Sequence, residues 1–382
     1  MSPTRSGLSR RVRVTLGALL CICGSRGAGQ GAAAARSRAG ASASASEALS
    51  FISERGGNRD VYLIAADGKS EQALTRSAAH ESNLALTPDG RYLLLAAAQG
   101  SAERDRRFRF ALAPLDPGLP RPPLGTLPPA LFPARAVLLN PSFAPDGKSL
   151  YFESESSGLR DLFQLPLTPS YRAAGEPRQL TRNPEGNFAP SVCARGDFLA
   201  FTSSRDRVSE LYRMRRDGSD LRRLTYSAGS EWQPRCHPSG ELIYFVSDRD
   251  GADRIYSVHM NGSEPRRLTG RSLDSAVVED SPTISPDGQR LAFIVRGAGM
   301  GARLHVVELG GGQEREVLIP PGQRASEPAW SLGHGGRPLR LAVTLRGEEG
   351  GSAQIFITDA QLRGVQQLTH AQGPNWHPLW IR

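Results

Sequence analysis

The chain of 382 residues is 39% hydrophobic and 22% charged, with 41 Gly and 28 Pro, which excludes both a disordered chain and a helical bundle. No apolar run reaches the roughly 18–20 residues that a membrane-spanning helix needs. The net charge of +9 invites a nucleic-acid partner, but five arginines lie in an acid-free leader over residues 1–35 and leave only +4 for the rest; no nucleic-acid motif accompanies them, and none is expected as a partner.

The leader reads as an export signal, residues 1–35. Arg5, Arg10, Arg11 and Arg13 precede an apolar stretch over 14–23, and small residues follow at Ala32 to Ala35. A charged n-region, a short h-region and an Ala-x-Ala site come in that order, so a periplasmic or secreted protein is expected. Cys21 and Cys23 offer a lipoprotein site, although Leu20 and Ile22 stand where a small residue is preferred. All but two of the 47 basic residues are Arg, which with the abundant Ala, Gly and Pro points to a GC-rich bacterial genome. Residues 36–48 form an Ala/Ser-rich linker.

From residue 49 to 382 the chain repeats itself, and four short elements recur in order. The first is an apolar strand running into a turn: Leu84–Gly90, Pro141–Gly147, Pro190–Gly196, Pro234–Gly240 and Pro282–Gly288, with a looser copy at Pro328–Ser331. Its Pro-Asp-Gly form presets φ at the first corner, bonds Asp back to the backbone and puts Gly at positive φ. The second is a strand with apolar residues two apart, among them Leu49/Phe51, Leu199/Phe201 and Ile243/Phe245. The third is an aliphatic–aromatic pair such as Val61-Tyr62, Leu211-Tyr212 and Ile255-Tyr256. The fourth ends in Leu-Thr, at Thr75, Thr181, Thr225, Thr269 and Thr369, with Thr126-Leu127 and Val317-Leu318 as weak copies.

Elements two to four occur seven times, while the first element is missing before Leu49 and turns up instead as Pro378–Ile381 at the other end. The missing strand is thus supplied by the C-terminus. That predicts an all-β, seven-bladed β-propeller of four-stranded antiparallel blades closed by the C-terminal strand, with six blades the alternative. A Pro-rich insertion over 113–134 interrupts one blade.

Residues 231–269 carry Pro234-x-Cys-His-Pro-Ser-Gly240, Ser247-Asp-Arg-Asp-Gly251, Ile255-Tyr256 and Leu268-Thr269. This pattern resembles the repeat of the TolB-like propeller family, over about residues 49–382. The resemblance implies the fold and an exported propeller protein; TolB itself carries a further α/β domain before six blades, whereas a linker precedes the first strand here.

No Gly-x-Ser-x-Gly elbow and no phosphate loop occurs. Oligogalacturonate lyases are seven-bladed propellers with a histidine-rich manganese site, but the seven histidines fall in no His-x-His or His-x₃-His pair. Neither a metal nor a cofactor is expected. Asp248, Asp250 and Asp253 read as turn residues rather than a calcium loop. Cys193 and Cys236 align one position apart in their repeats, on opposite faces of their strands, and read as separate buried thiols.

The remaining candidate site is the channel mouth. Residues at and just before the start of the first element are Glu81, Asn140, Asn187, Glu231, Trp232, Glu279, Asp280, Glu327, Trp376 and His377, a gathering of acids, amides and Trp in a basic chain. Such a surface suits a protein or peptide partner. The expected function is a monomeric, non-enzymatic binding scaffold of the bacterial envelope. The alternative is a glycan-acting lyase or glycan-binding propeller resembling oligogalacturonate lyase.

Overall fold

The computed structural model describes residues 47–99, 107–120, 137–155, 159–195, 197–269, 276–333, 336–359 and 361–381. The leader, most of the linker and Thr126-Leu127 lie outside them. Seven antiparallel sheets follow one another along the chain, six of four strands and one, blade two, of three among the described residues. Each blade begins on an inner strand: His80–Leu86 in blade two, then Leu138–Phe143, Asn187–Val192, Glu231–Cys236, Val277–Ile284 and Gln323–Trp330 in blades three to seven. Blade one takes its inner strand, Asn375–Trp380, from the chain end. There Trp380 pairs with Leu49 and Trp376 with Ile52.

The expected turn chemistry is present. Gly90, Gly147 and Gly288 take φ of 67°, 70° and 72°. The amides of Arg91, Lys148 and Gln289 donate to the preceding Asp Oδ1 at 3.1, 3.0 and 3.0 Å. The third strand of blade two runs Arg107–Pro114, and residues 121–134 of the Pro-rich insertion lie outside the described residues.

The core lies between blades, not within a single layer. One cluster joins Ala144, Leu162 and Val192 to Phe201, Tyr212 and Met214 across blades three and four, and its counterpart across four and five joins Leu211 and Leu224 to Phe245 and Tyr256. This packing corrects the reading of the cysteines: Cys193 and Cys236 are disulfide-bonded, with Cα atoms 5.1 Å apart. Alternation did put them on opposite faces. In stacked blades, however, the forward face of one sheet meets the rear face of the next, so opposite faces are the ones that touch.

Candidate functional site

The inner strand repeats one irregularity seven times. Asn83, Asn140, Ala189, Gln233, Ser281, Glu327 and His377 have φ between 47° and 58°, the left-handed region. Strand pairing skips at each; in blade five it passes from Trp232↔Val246 to Arg235↔Tyr244. These are β-bulges, which re-aim side chains at a sheet margin. Several of the re-aimed groups link neighbouring blades. Gln233 Oε1 accepts from the Ser281 amide at 2.8 Å, and Glu327 Oε2 from the His377 amide at 2.8 Å. Glu153 Oε1 accepts from Asn140 Nδ2 at 2.6 Å and from the Ala189 amide at 2.5 Å.

Two residues before the bulge, a second ring of polar groups is enclosed. Glu81, Asn187, Glu231, Glu279 and Asn375 are at most 2% exposed. All five meet the Leu-Thr element of the preceding blade. Each Thr hydroxyl accepts a backbone N–H of its own blade, as Thr75 does from Val61 at 2.8 Å and Thr369 from Ile355 at 2.9 Å. Its proton then goes to the polar cluster. Thr75 donates to Glu81 at 2.7 Å, Thr225 reaches Glu231 at 3.2 Å, and Thr269 bonds Glu279. In the other two junctions, Thr181 and Asn187 share Asp161, and Thr369 and Asn375 share Gln354. Where the sequence lacks the Leu-Thr pair, reading Thr126-Leu127 and Val317-Leu318 instead, the inner-strand residues at the same place in the next repeat are apolar: Leu138 and Ala325.

Arginine completes this latch in three blades. Arg55, Arg205 and Arg249 each donate from Nε to the Ser two residues earlier, at 2.9, 2.9 and 3.0 Å. They reach Asn375, Asn187 and Glu231 at 3.2, 3.2 and 2.9 Å. Their guanidinium carbons lie 4.0, 4.4 and 4.8 Å from the ring centres of Tyr62, Tyr212 and Tyr256. The Ser-x-Arg, Ile-Tyr and Leu-Thr elements of the repeat therefore hold one blade against the next.

Of the ten residues expected at the mouth, Glu81, Asn187, Glu231 and Glu279 thus point into the gaps between blades. Burial raises the carboxyls of Glu81 and Glu279 above their ordinary range. Burial and the adjacent Glu210 push Glu231 up to about 7. Burial acts the same way on Glu210, but hydrogen bonds from Glu231, Thr225 and the Ser227 amide outweigh it and hold Glu210 low. The two carboxyls thus influence each other across blades four and five. Asp280, raised by burial, is paired with Arg296. Glu327 and His377 form an ion pair at 2.7 Å. Burial opposes both charges, yet their mutual attraction keeps Glu327 low and His377 high. The acids are therefore matched with cations or hydroxyls, so the unpaired negative mouth that the sequence suggested is not what these carboxyls form.

Trp232, Asn140, Asp280, Glu327 and Trp376 retain partly accessible side chains, and His377 is 8% exposed. Trp376 packs on the core between blades one and two, beside Arg59. Trp232 belongs to none of the core clusters among the described residues. Tyr226, which sequence reasoning missed, is 77% exposed in the loop leading to Trp232, stacked on Arg223 at 4.4 Å. An aromatic directly after Leu-Thr, where other copies carry Arg76, Arg182 and His370, was the signal for it. Among the described residues no three His, Cys, Asp or Glu side chains come together to hold a metal ion. His237 lies between Ser239 Oγ and the Gly288 carbonyl at 2.8 and 2.9 Å, and His305 beside Glu314 at 2.9 Å. Asp248 and Asp250 bond the Ser230 amide and the Tyr256 hydroxyl, as turn residues do.

Residues 170–278 match the TolB β-propeller domain. A Protein TolB homolog of Chlorobium luteolum is 32% identical over 147 residues, covering 31% of this chain and 34% of that protein; the match spans about a third of that relative's length. Among solved structures, a puromycin-hydrolysing peptidase of Mycobacterium tuberculosis is similar at 19% identity and a TM-score of 0.62, over 84% of this chain and 52% of its own. An oligogalacturonate lyase of Vibrio parahaemolyticus is similar at 12% identity and a TM-score of 0.58, over 86% of both chains. At these identities the two structures share the fold.

Proposed function

Since this chain is a TolB-like β-propeller, we propose that it is an exported, non-enzymatic scaffold of the bacterial envelope that binds a protein or peptide at one mouth of its channel. The observation that carries the reading is a partly accessible Trp232 and an exposed Tyr226 flanking one blade junction, with Asp280 and Glu327 already paired to Arg296 and His377. Aromatic anchors in such surroundings give contact area without an unpaired charge to desolvate. Asn140, Asp280, Glu327 and Trp376 complete the rim, while Glu81, Asn187, Glu231 and Glu279 keep the blades in register beneath it. The leader pattern supports export, and so does the disulfide, which persists in oxidising compartments. Among the described residues no helix is long and apolar enough to cross a membrane.

The test is a comparison of envelope proteins retained by the mature propeller and by a Trp232→Ala, Tyr226→Ala double variant of equal thermal stability. Loss of a specific retained protein, with direct affinity lowered about 30-fold or more, supports the reading. Identical retention by both refutes the site, and release of unsaturated sugars from oligogalacturonate refutes the non-enzymatic assignment.

A further inference from the structure

Five blades set two rings against each other at one position between their second and third strands, Phe51–Tyr62, Phe152–Phe163, Phe201–Tyr212 and Phe245–Tyr256 stacked and Phe293–His305 tilted, with centroids 5.6–5.9 Å apart. Blade seven keeps one ring, Phe356, opposite Val343. Blade two keeps neither, for the same register pairs Leu95 with Ala111. Ala97 also stands there in place of the latch serine that Ser203 and Ser247 supply elsewhere. Among the described residues the missing volume is not closed by neighbours. A cavity of about 370 Å³ lies between the outer strand of blade one and the face of blade two, walled by Leu74, Ala79, Leu95, Ala97, Ala111 and Ala113.

Two further features give this cavity a chemistry. It opens beside Arg76 and Arg109, both exposed and without an ion-pair partner among the described residues. The lining acid, Glu81, is 2% exposed and already bonded to Thr75 and Ser77, so it does not neutralise them. A cleft with apolar walls and two guanidinium groups that are unpaired among the described residues matches a molecule with a flat apolar body and one anionic end. An engineered cavity of about 150 Å³ takes up benzene, so this one has room for a fused bicyclic ring.

We propose that the cleft between blades one and two is a binding site for a small aromatic carboxylate, its ring in the place of the two absent side chains and its carboxylate held by Arg76 and Arg109. The site is separate from the channel mouth and does not rest on that reading. Charge-assisted, forked hydrogen bonds from Arg suit a carboxylate.

The probe is naphthylacetate, with the uncharged naphthylethanol as its control, titrated by fluorescence and ligand-observed NMR against the full mature protein. Wild type is expected to bind naphthylacetate with a Kd on the order of 0.1 mM, as the efficiency of small ligands allows. Ala111→Tyr restores the ring of the other blades and is expected to abolish binding of both probes while leaving thermal stability equal or higher. Should that variant not fold, Ala97→Leu fills the same space from the second strand. Arg76→Gln with Arg109→Gln is expected to weaken naphthylacetate about tenfold or more and leave naphthylethanol unchanged. The proposal is overturned by a wild type that takes up no naphthylacetate below about 5 mM, by a folded, filled variant that binds as wild type does, or by a double arginine variant that still prefers the acid.

Discussion

Trp380 is the residue on which ring closure can be tested most sharply. It is 1% exposed and packs among Leu49, Phe51, Ala342, Ile355, Ile357 and Leu368, joining the two ends of the chain to blade seven. Its Nε1 donates to the Ala329 carbonyl at 3.0 Å, and the Arg340 guanidinium lies 5.4 Å from its ring. Truncating a buried Trp to Ala costs about 3–5 kcal/mol, and the abandoned buried carbonyl adds about 1 kcal/mol or more. Against a total stability of about 5–15 kcal/mol, Trp380→Ala should lower Tm by about 5–10 °C in a domain of this size. Deletion of residues 375–382 should do more, since it leaves the Ala48–Ser53 strand with an unpaired edge and invites association between molecules. Trp232→Ala, outside the core clusters, is the control and should shift Tm by less than about 2 °C. Differential scanning calorimetry with light scattering reads all three. A Trp380→Ala protein that melts with wild type, or a truncated one that stays monomeric and equally stable, would refute closure by the C-terminal strand.

Removing the Cys193–Cys236 bond by double substitution to Ala should cost about 4 kcal/mol, the loop-closure term for a separation of 43 residues; an unchanged denaturant midpoint would contradict it. The Glu327–His377 pair should give a pH optimum of its own. His377, raised, stabilises fully below the unfolded histidine value and less as pH rises through its folded value; Glu327, lowered, stabilises above the unfolded carboxyl value and less as pH falls through its folded value. His377→Gln should therefore lower the plateau between the unfolded carboxyl and histidine values and remove the fall above the histidine value, and an unaltered profile would refute the pair. Thr75→Val should cost about 1–3 kcal/mol by stranding the Val61 amide and removing a donor from Glu81. Adding Glu81→Leu should recover part of that, as at Leu138; a double variant worse than the sum of the singles would refute the latch. Mass spectrometry of exported protein should find a mature chain beginning near Arg36 without lipid, and an uncleaved or acylated product would overturn that boundary.

The fold was legible because a propeller writes itself seven times. A single Pro-Asp-Gly or a single Leu-Thr says little, but the order of four elements and the displacement of Pro378–Ile381 to the chain end leave few other architectures. The disulfide was misread for a specific reason. Period-two alternation decides which face of one strand a residue occupies, and it was applied as though both strands shared a sheet. Cys193 and Cys236 sit in successive blades, where opposite faces are the ones in contact.

The candidate site was legible in composition and not in direction. Glu81, Asn187, Glu231 and Glu279 were recognised as a recurrent polar set at the start of the inner strand, yet a strand start says nothing of whether a side chain faces the channel or the neighbouring blade. What resolves it was present in the sequence as a correlation between copies: an acid or amide follows each of the five Leu-Thr endings, and Leu138 or Ala325 follows the two endings without one. A ligand-contacting residue has no reason to vary with the outer strand of the blade before it. A buried hydrogen-bonding partner has every reason, because an enclosed carboxyl left without the Thr hydroxyl would bear the cost of an unsatisfied polar group. Residues that follow this rule belong to the frame, and those that break the repeat, Tyr226 and the ring-less pair Leu95 and Ala111, are where individual function has room to be written.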